Sequence, residues 1–364
     1  MHILQVVHQF PPERLGGTEI YTWSLSRALA GRGHQVTVVH GLHDAVNCPP
    51  LVETARVDGL RVFRFQPVAA NPLRLFIRSF DNPPVEAAFT DLLRQLRPDV
   101  VHFQHLKGLS ARLVGISRRA GLPAVWTLHD YWAFCGNAQL IRPRNHTCGG
   151  PRLWLNCADC AAARVGAPAA ILAAPGVALL FAYRDRLLRQ ALAQASLLIA
   201  PSAFVRARFL QQGFPPGRLL HVDHGIDLPP APVVHRPDPD GRLRCVFLGG
   251  LARQKGVHVL VQAFNGLDPN RASLTIYGDE TVFPDYVRTL KTAVRHPGIR
   301  FGGQLPRERL WEVLADADVL AIPSLWFETS SLVAQEAFAA GVPVVASALG
   351  ALTERVRDGV DGLL

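Results

Sequence analysis

The run SLWFETSSLVAQEAFAAGVP, Ser324–Pro343, decides the fold. It leaves an apolar strand, Val319-Leu320-Ala321-Ile322, through Pro323 and enters a helix expected to begin near Ser330-Ser331. Leu332, Gln335, Glu336 and Ala339 follow at helical spacing; Gly341 ends the helix and Pro343 enforces the stop. Small hydroxyl residues at a helix start leave backbone N–H groups pointing outward, where a phosphate can bind. Ser330, Ser331 and the backbone at Leu332 are therefore candidate phosphate ligands.

Glu328 and Glu336 bracket this turn with seven residues between them. On one continuous helix they would lie roughly 80° apart in projection. With Glu328 ahead of the helix, they instead reach different parts of one bound molecule. The plainer reading is two solvated acidic residues, since carboxylates are mostly exposed.

The ordered run of features resembles the signature of the retaining glycosyltransferases of family four. These features are Pro323-Ser324, Glu328, Glu336 and the strand Gly341-Val342-Pro343-Val344-Val345. The continuation through Ala346-Ser347, Gly350, Glu354 and Gly359-x-x-Gly362-Leu363 is similar as well. The resemblance implies a GT-B arrangement, two Rossmann-like domains facing each other across a cleft. It also implies transfer of a sugar from a nucleotide-diphosphate donor to an acceptor hydroxyl. Glu336 would bind the ribose, and Glu328 the donor sugar.

Working outward, apolar strand-like runs alternate with helical stretches, which reads as α/β with parallel sheets. The 364 residues suffice for two cores, and 49% of them are hydrophobic. Met1-His2-Ile3-Leu4 enters a strand at once, with no signal-peptide pattern, and no apolar span of about 20 residues occurs. The expected location is cytoplasmic, with room for a peripheral membrane contact. The apolar stretch Ala167–Tyr183, broken by Pro168, Pro175 and Gly176, reads as a buried or half-buried helix pair or as a lipid-facing surface. A net charge of +9 suits anionic partners, although no nucleic-acid motif is present.

At the N-terminus, Ile3–Val7 reads as a central strand and Gly33–Val39 brings in the second. Between them, Leu15-Gly16-Gly17-Thr18-Glu19 opens an amphipathic helix. Gly16 and Gly17 let the backbone approach an anion at a helix start, and the resemblance sets them against the donor diphosphate. Strand Val100–Phe103 delivers Gln104-His105, and Pro123–Leu128 delivers His129-Asp130. Ligands in open α/β sheets bind beyond the carboxyl ends of strands. By resemblance His129 helps hold the donor sugar, while His105 is a weaker candidate for the acceptor side. His224 stands where the family usually has an asparagine, so no role is carried over to it.

The insert Cys135–Cys160 holds four of the six cysteines: Cys135, Cys148, Cys157 and Cys160, the last two as C-x2-C. Without a secretory signal, disulfides are the less favoured use. Four thiolates could hold a structural zinc; free thiols are the alternative. The insert's place after His129 suggests a wall near the acceptor.

The proline-rich residues 228–242 read as a linker between an acceptor-side domain, 1–227, and a nucleotide-sugar domain, 243–364. After strand Leu243–Leu248 comes Gly249-Gly250-Leu251-Ala252-Arg253-Gln254-Lys255-Gly256. By resemblance Lys255 neutralises the donor diphosphate. The usual arginine position is Gly250, and either Arg253 or backbone N–H groups opened by the extra glycine can fill that charge vacancy. The chain ends at Leu364, where the family usually continues with further helices, so the second domain is expected to be truncated.

The expected activity is a retaining transferase acting on a glycan or lipid-linked acceptor, in cell-surface polysaccharide or glycolipid assembly. No cofactor and no divalent metal are required at its reaction centre. The alternatives are a GT-B phosphorylase or epimerase, or a degenerate scaffold that binds nucleotide sugar without transferring it.

Overall fold

The computed structural model describes residues 1–13, 16–42, 44–54, 56–143, 146–165 and 170–364, without the side chains of 164, 165 and 170–174. Leu15 of the Gly-Gly loop and Ala167 and Pro168 of the apolar stretch lie outside the described residues. The chain forms two compact units, Met1–Pro143 with Cys148–Gly225, and Ile226–Leu364.

The first unit is built on β1 (His2–Val7), β2 (Gln35–His40), β3 (Val46–Glu53), β4 (Arg61–Val68), β5 (Val100–Phe103), β6 (Ala124–Thr127), β7 (Leu197–Ala200) and β8 (Leu219–His221). Their spatial order is β3-β4-β2-β1-β5-β6-β7-β8. All neighbours are parallel except β3 and β4, whose pairing is antiparallel. All six residues of β1 are buried, as a central parallel strand covered on both faces requires. Chain direction across the sheet reverses between β1 and β5, and ligands bind at such switch points.

The second unit carries β9 (Leu243–Leu248), β10 (Ala272–Tyr277), β11 (Ile299–Gly303), β12 (Val319–Ile322), β13 (Val344–Ala346) and β14 (Gly362–Leu363). Their order is β11-β10-β9-β12-β13-β14 and every pairing is parallel, the doubly wound Rossmann arrangement. Side chains of β9 alternate between two cores, as period-two geometry dictates. Val246 and Leu248 pack with Leu314, Leu320 and Val344. Cys245 and Phe247 pack with Val261, Leu274 and Ile276. The switch point here falls between β9 and β12, whose ends carry Gly249-Gly250 and Pro323-Ser324.

Two expectations need adjusting. The apolar stretch is not a helix pair. Ala170–Gln194 is a single helix with Pro175 inside it. Pro175 is the sixth residue of this helix, past the first four N–H groups, so it forgoes the bond its position would make to the carbonyl four residues earlier. The insert contributes a helix of its own, Leu155–Val165, that packs on this one. The proline-rich segment is also no free linker. Val233 joins a core of the second unit, Arg236 Nε meets Asp316 Oδ1 at 2.6 Å, and the Arg236 N–H bonds the Ala315 carbonyl at 2.8 Å. Among the described residues no helix is long and apolar enough to cross a membrane.

Candidate functional site

Two side-chain clusters stand at the two switch points, one in each unit. In the second unit, Gly249–Lys255 leaves β9 and the loop after β12 meets it. The turn at Gly256 has φ +73°, and a Cβ there would sit 1.7 Å from the Pro323 carbonyl oxygen. Glycine is thus the residue that lets the two strand ends close. The Leu325 N–H also bonds the Gln254 carbonyl at 2.8 Å. This contact delivers Lys255 to Glu328, with Nζ to Oε1 at 2.7 Å.

The same oxygen takes the Trp326 indole N–H at 2.8 Å and the Ser324 hydroxyl. Lys255 Nζ lies 5.1 Å from the Trp326 ring centroid, a cation–π contact. The backbone of Glu328 is held as firmly. Its carbonyl accepts from Ala351 N at 2.7 Å, and it bridges to Gly350, where a Cβ would lie 2.4 Å from the Glu328 oxygen.

The helix of the opening stretch spans Leu332–Ala339, and Ser331 ahead of it adopts the left-handed conformation, φ 62°. The Ser331 side chain makes no capping bond there, which leaves the first N–H groups the open aspect expected of an anion site. Ser330 is buried, its hydroxyl 3.3 Å from Gln335 Nε2.

Glu336 points inward and is 1% exposed. Its Oε1 pairs with Arg307 Nη2 at 2.6 Å, and its buried Oε2 has no hydrogen-bond partner among the described residues. Burial pushes its carboxyl up, Arg307 pulls it back, and the charge of Asp227 adds to the rise.

Arg253 is exposed and its charge helps lower His258, after burial. A Cβ on Gly250 would meet nothing within 4 Å, so packing does not forbid a larger residue there.

In the first unit His8 follows β1, Gln104-His105 follow β5 and His129-Asp130 follow β6. His129 is buried; Gln104 Oε1 stands 2.7 Å from its Nε2, and Gln104 Nε2 donates to Gln5 Oε1 at 2.9 Å. With the amide so oriented, His129 Nε2 is the protonated nitrogen and Nδ1 the acceptor. Burial, then the neighbouring His224, His105 and His102, holds His129 well below the usual histidine value, so its ring stays neutral.

Tyr21 stacks on His224 at 3.9 Å between centroids and meets the edge of His129 at 5.3 Å. His105 is committed on both nitrogens: Nε2 to Asp130 Oδ2 at 2.9 Å, and Nδ1 accepting the Lys107 N–H at 3.1 Å. Burial alone would raise Asp130, but the His105 contact outweighs it and keeps the carboxyl low.

The Gly-Gly loop carries an anion of its own. Glu19, 4% exposed, folds back so that a Cβ on Gly16 would lie 2.5 Å from its Oε2, and it accepts N–H bonds from Gly16 and from its own backbone. Glu19 also meets His8 at 3.2 Å. Gly17, by contrast, has open space where a Cβ would go.

The four insert cysteines are unbridged thiols arranged as two couples. Cys135 and Cys160 both contact Asn137, at 2.8 and 3.8 Å. Cys148 and Cys157 both contact Asn156, at 3.8 and 3.9 Å. Cys157 is pushed up to about 12 by burial and then by the other three thiols. Among the described residues no three Cys, His, Asp or Glu groups stand close enough to share an ion.

Sequence reading missed Trp326, Arg307 and Tyr21, and placed Gln104 at a strand end without giving it a role. Trp326 had a signal, two residues before Glu328; Arg307 and Tyr21 lie far from their partners in sequence and had none.

Comparison with known proteins bears on the family and the fold. Residues 15–229 match the family model Glycosyltransferase Family 4, and 242–364 match Glycosyl transferases group 1. A D-inositol 3-phosphate glycosyltransferase 1 of Catenulispora acidiphila is 30% identical over 374 residues, 96% of this chain and 78% of that one. A glycogen synthase of Mycobacterium tuberculosis is 26% identical over 382 residues, covering 100% of this chain and 82% of its own length. Among solved structures, a sucrose-phosphate synthase from Thermosynechococcus elongatus superposes with a TM-score of 0.68 at 20% identity, over 100% of this chain and 85% of that one. Anabaena Alr3699/HepE in complex with UDP-glucose does so with a TM-score of 0.64 at 19% identity and the same coverages.

Proposed function

Because the chain belongs to the glycosyltransferases of family 4 and group 1 and has their GT-B fold, we propose that it is a retaining enzyme using a nucleotide-diphosphate sugar. The observation that carries this reading is the convergence of Lys255, Ser324 and Trp326 on one oxygen of Glu328 at the switch point of the second sheet. A cation and a buried carboxylate held in contact match the two ends of a sugar diphosphate. Lys255, with Arg253 beside it, takes the phosphates together with the open N–H groups at Ser330, Ser331 and Leu332. Glu328 takes hydroxyls of the sugar, and Glu336 the ribose.

His129, kept neutral, is the first unit's candidate for the donor sugar, and Gly17, with open space where a Cβ would go, its candidate for the phosphates, because Glu19 already takes the Gly16 N–H. In transfer, the bond from the anomeric carbon to the diphosphate oxygen breaks, a bond to the acceptor oxygen forms on the same face, and the acceptor hydroxyl passes its proton to the departing diphosphate oxygen. Catalysis then rests on stabilising the departing diphosphate and on positioning both substrates. The acceptor is a glycan or a lipid-linked glycan, in surface polysaccharide or glycolipid assembly, reached from the cytoplasmic side with a peripheral membrane contact.

Calorimetry with a panel of nucleotide sugars, on wild type and Glu336→Ala, tests the reading. One donor should bind and lose at least tenfold in the variant. A folded protein that binds none of them overturns it. Binding without transfer to any acceptor would instead favour a sugar-nucleotide scaffold, the reading to which the missing cation at Gly250 lends weight.

A further inference from the structure

Arg307 has no part in the donor site as read from the sequence, yet its geometry ties it there. It opens the short turn Arg307–Arg309 after β11, and its Nη2 reaches Glu336 Oε1 at 2.6 Å. Arg307 is 22% exposed and the Glu336 side chain 2%. The second oxygen, Oε2, is buried with no partner among the described residues. An unsatisfied buried carboxylate oxygen is costly, so it marks a place where a ligand donor belongs.

We propose that Arg307 is the positioning residue of the donor site: by occupying Oε1 it fixes the carboxylate and reserves Oε2 for the vicinal hydroxyls of the nucleotide's ribose. This rests on Glu336 being the ribose ligand. Only an acceptor oxygen can serve two ribose hydroxyls at once, and a charged acceptor binds them more strongly than a neutral one. Burial works against that charged state, as does Asp227; Arg307 is the opposing cation. Without it Glu336 would take up a proton more readily and offer an O–H where an acceptor is needed.

The experiment compares UDP, GDP and ADP with their 2'-deoxy counterparts by calorimetry between pH 6 and 8. The proteins are wild type, Arg307→Met, Arg307→Lys and Glu336→Gln, each checked for folding by thermal melting. Wild type should prefer at least one ribonucleotide over its deoxy form by tenfold or more, with little dependence on pH. Arg307→Met should lose most of that preference, and its remaining ribonucleotide affinity should fall several-fold from pH 8 to pH 6. Arg307→Lys should recover part of both.

A folded Arg307→Met with wild-type preference and a flat pH profile overturns the role of Arg307, while Glu336→Gln shows separately whether the ribose reading stands. A wild type that treats ribo and deoxy forms alike, or binds none of the nucleotides, removes both.

Discussion

Replacing Lys255 by Met and Glu328 by Gln, singly and together, measures how far the donor-free second unit leans on this pair. Its N–O distance is 2.7 Å, with the lysine side chain 29% and the glutamate 6% exposed. At that separation, and with the dielectric response typical near a protein surface, the gross attraction is about 4–6 kcal/mol, most of it offset by desolvation. Lys255→Met keeps the aliphatic stem against Trp326 but strands a buried carboxylate. Breaking a fully buried pair costs about 3–5 kcal/mol. Here Ser324 and Trp326 still hold the oxygen, so about 2–3 kcal/mol is expected.

Glu328→Gln keeps an acceptor for Ser324 and Trp326 and loses the charge, at about 1–2 kcal/mol. The double variant should then cost less than the sum by about 1–2 kcal/mol, the coupling of the pair. Urea unfolding with equal m-values across the four proteins provides the measurement. Additivity within about 0.5 kcal/mol would refute the argument, because groups that do not interact add to within that margin.

Three further outcomes follow from the same geometry. Gly250→Arg introduces a cation where a Cβ meets nothing, so the fold should tolerate it; the added charge-assisted contact, about 1.5–3 kcal/mol, should tighten nucleoside diphosphate binding more than tenfold, and unchanged affinity in calorimetry would place the diphosphate elsewhere. Burial holds His102 down to about 4 and His129 well below its usual value, so both stay neutral when folded. Unfolded chains take up those protons below about pH 6.5, so stability present above that pH is lost as pH falls toward 4, by up to about 1.4 kcal/mol per pH unit for each ring. Urea midpoints at pH 5, 6 and 7 should show the decline, and His102→Asn should lessen it; a flat profile contradicts the assignment. Cys157, pushed up to about 12, should be alkylated by iodoacetamide at pH 8 more than tenfold slower than free cysteine. Zinc counted in the same sample decides the four-thiolate expectation: one ion per chain supports it, and metal-free protein with all four thiols titratable removes it.

The second unit was legible because its chemistry is local. Strand β12, the turn, Glu328, the helix and Glu336 occupy one short stretch, and Lys255 lies just before a glycine that must approach Pro323. The first unit spreads its site over the ends of β1, β5 and β6 and the helix bearing Glu19 and Tyr21. Sequence marks His129 there by its place after a strand, but it cannot show that Gln104 sets the tautomer or that Tyr21 and His224 stack beside it. Antiparallel β3 was equally hidden, because its VNCPPLVE carries two prolines, a poor strand signal tolerated on the edge strand where it lies. Arg307 shows the same limit: its partner stands 29 residues further along the chain, and only the sheet brings them together.

The donor-free pairing of Lys255 with Glu328 bears on how transfer would be driven. A lysine waiting in water would give up its hydration when the diphosphate arrived. This one already sits against a carboxylate and an indole, so diphosphate binding there would exchange one anion for another and cost less reorganisation. On the proposed reading Glu328 would be released by the same event, with Ser324 and Trp326 still holding it in place, and would turn from a cation's partner into an acceptor for sugar hydroxyls. The two ends of the donor are then coupled through one contact. A nucleoside diphosphate lacking the sugar would draw Lys255 away and leave Glu328 buried with no cation. A sugar nucleotide would repay that loss with hydroxyl donors, so the proposed reading expects donor to bind more tightly than the product left after transfer.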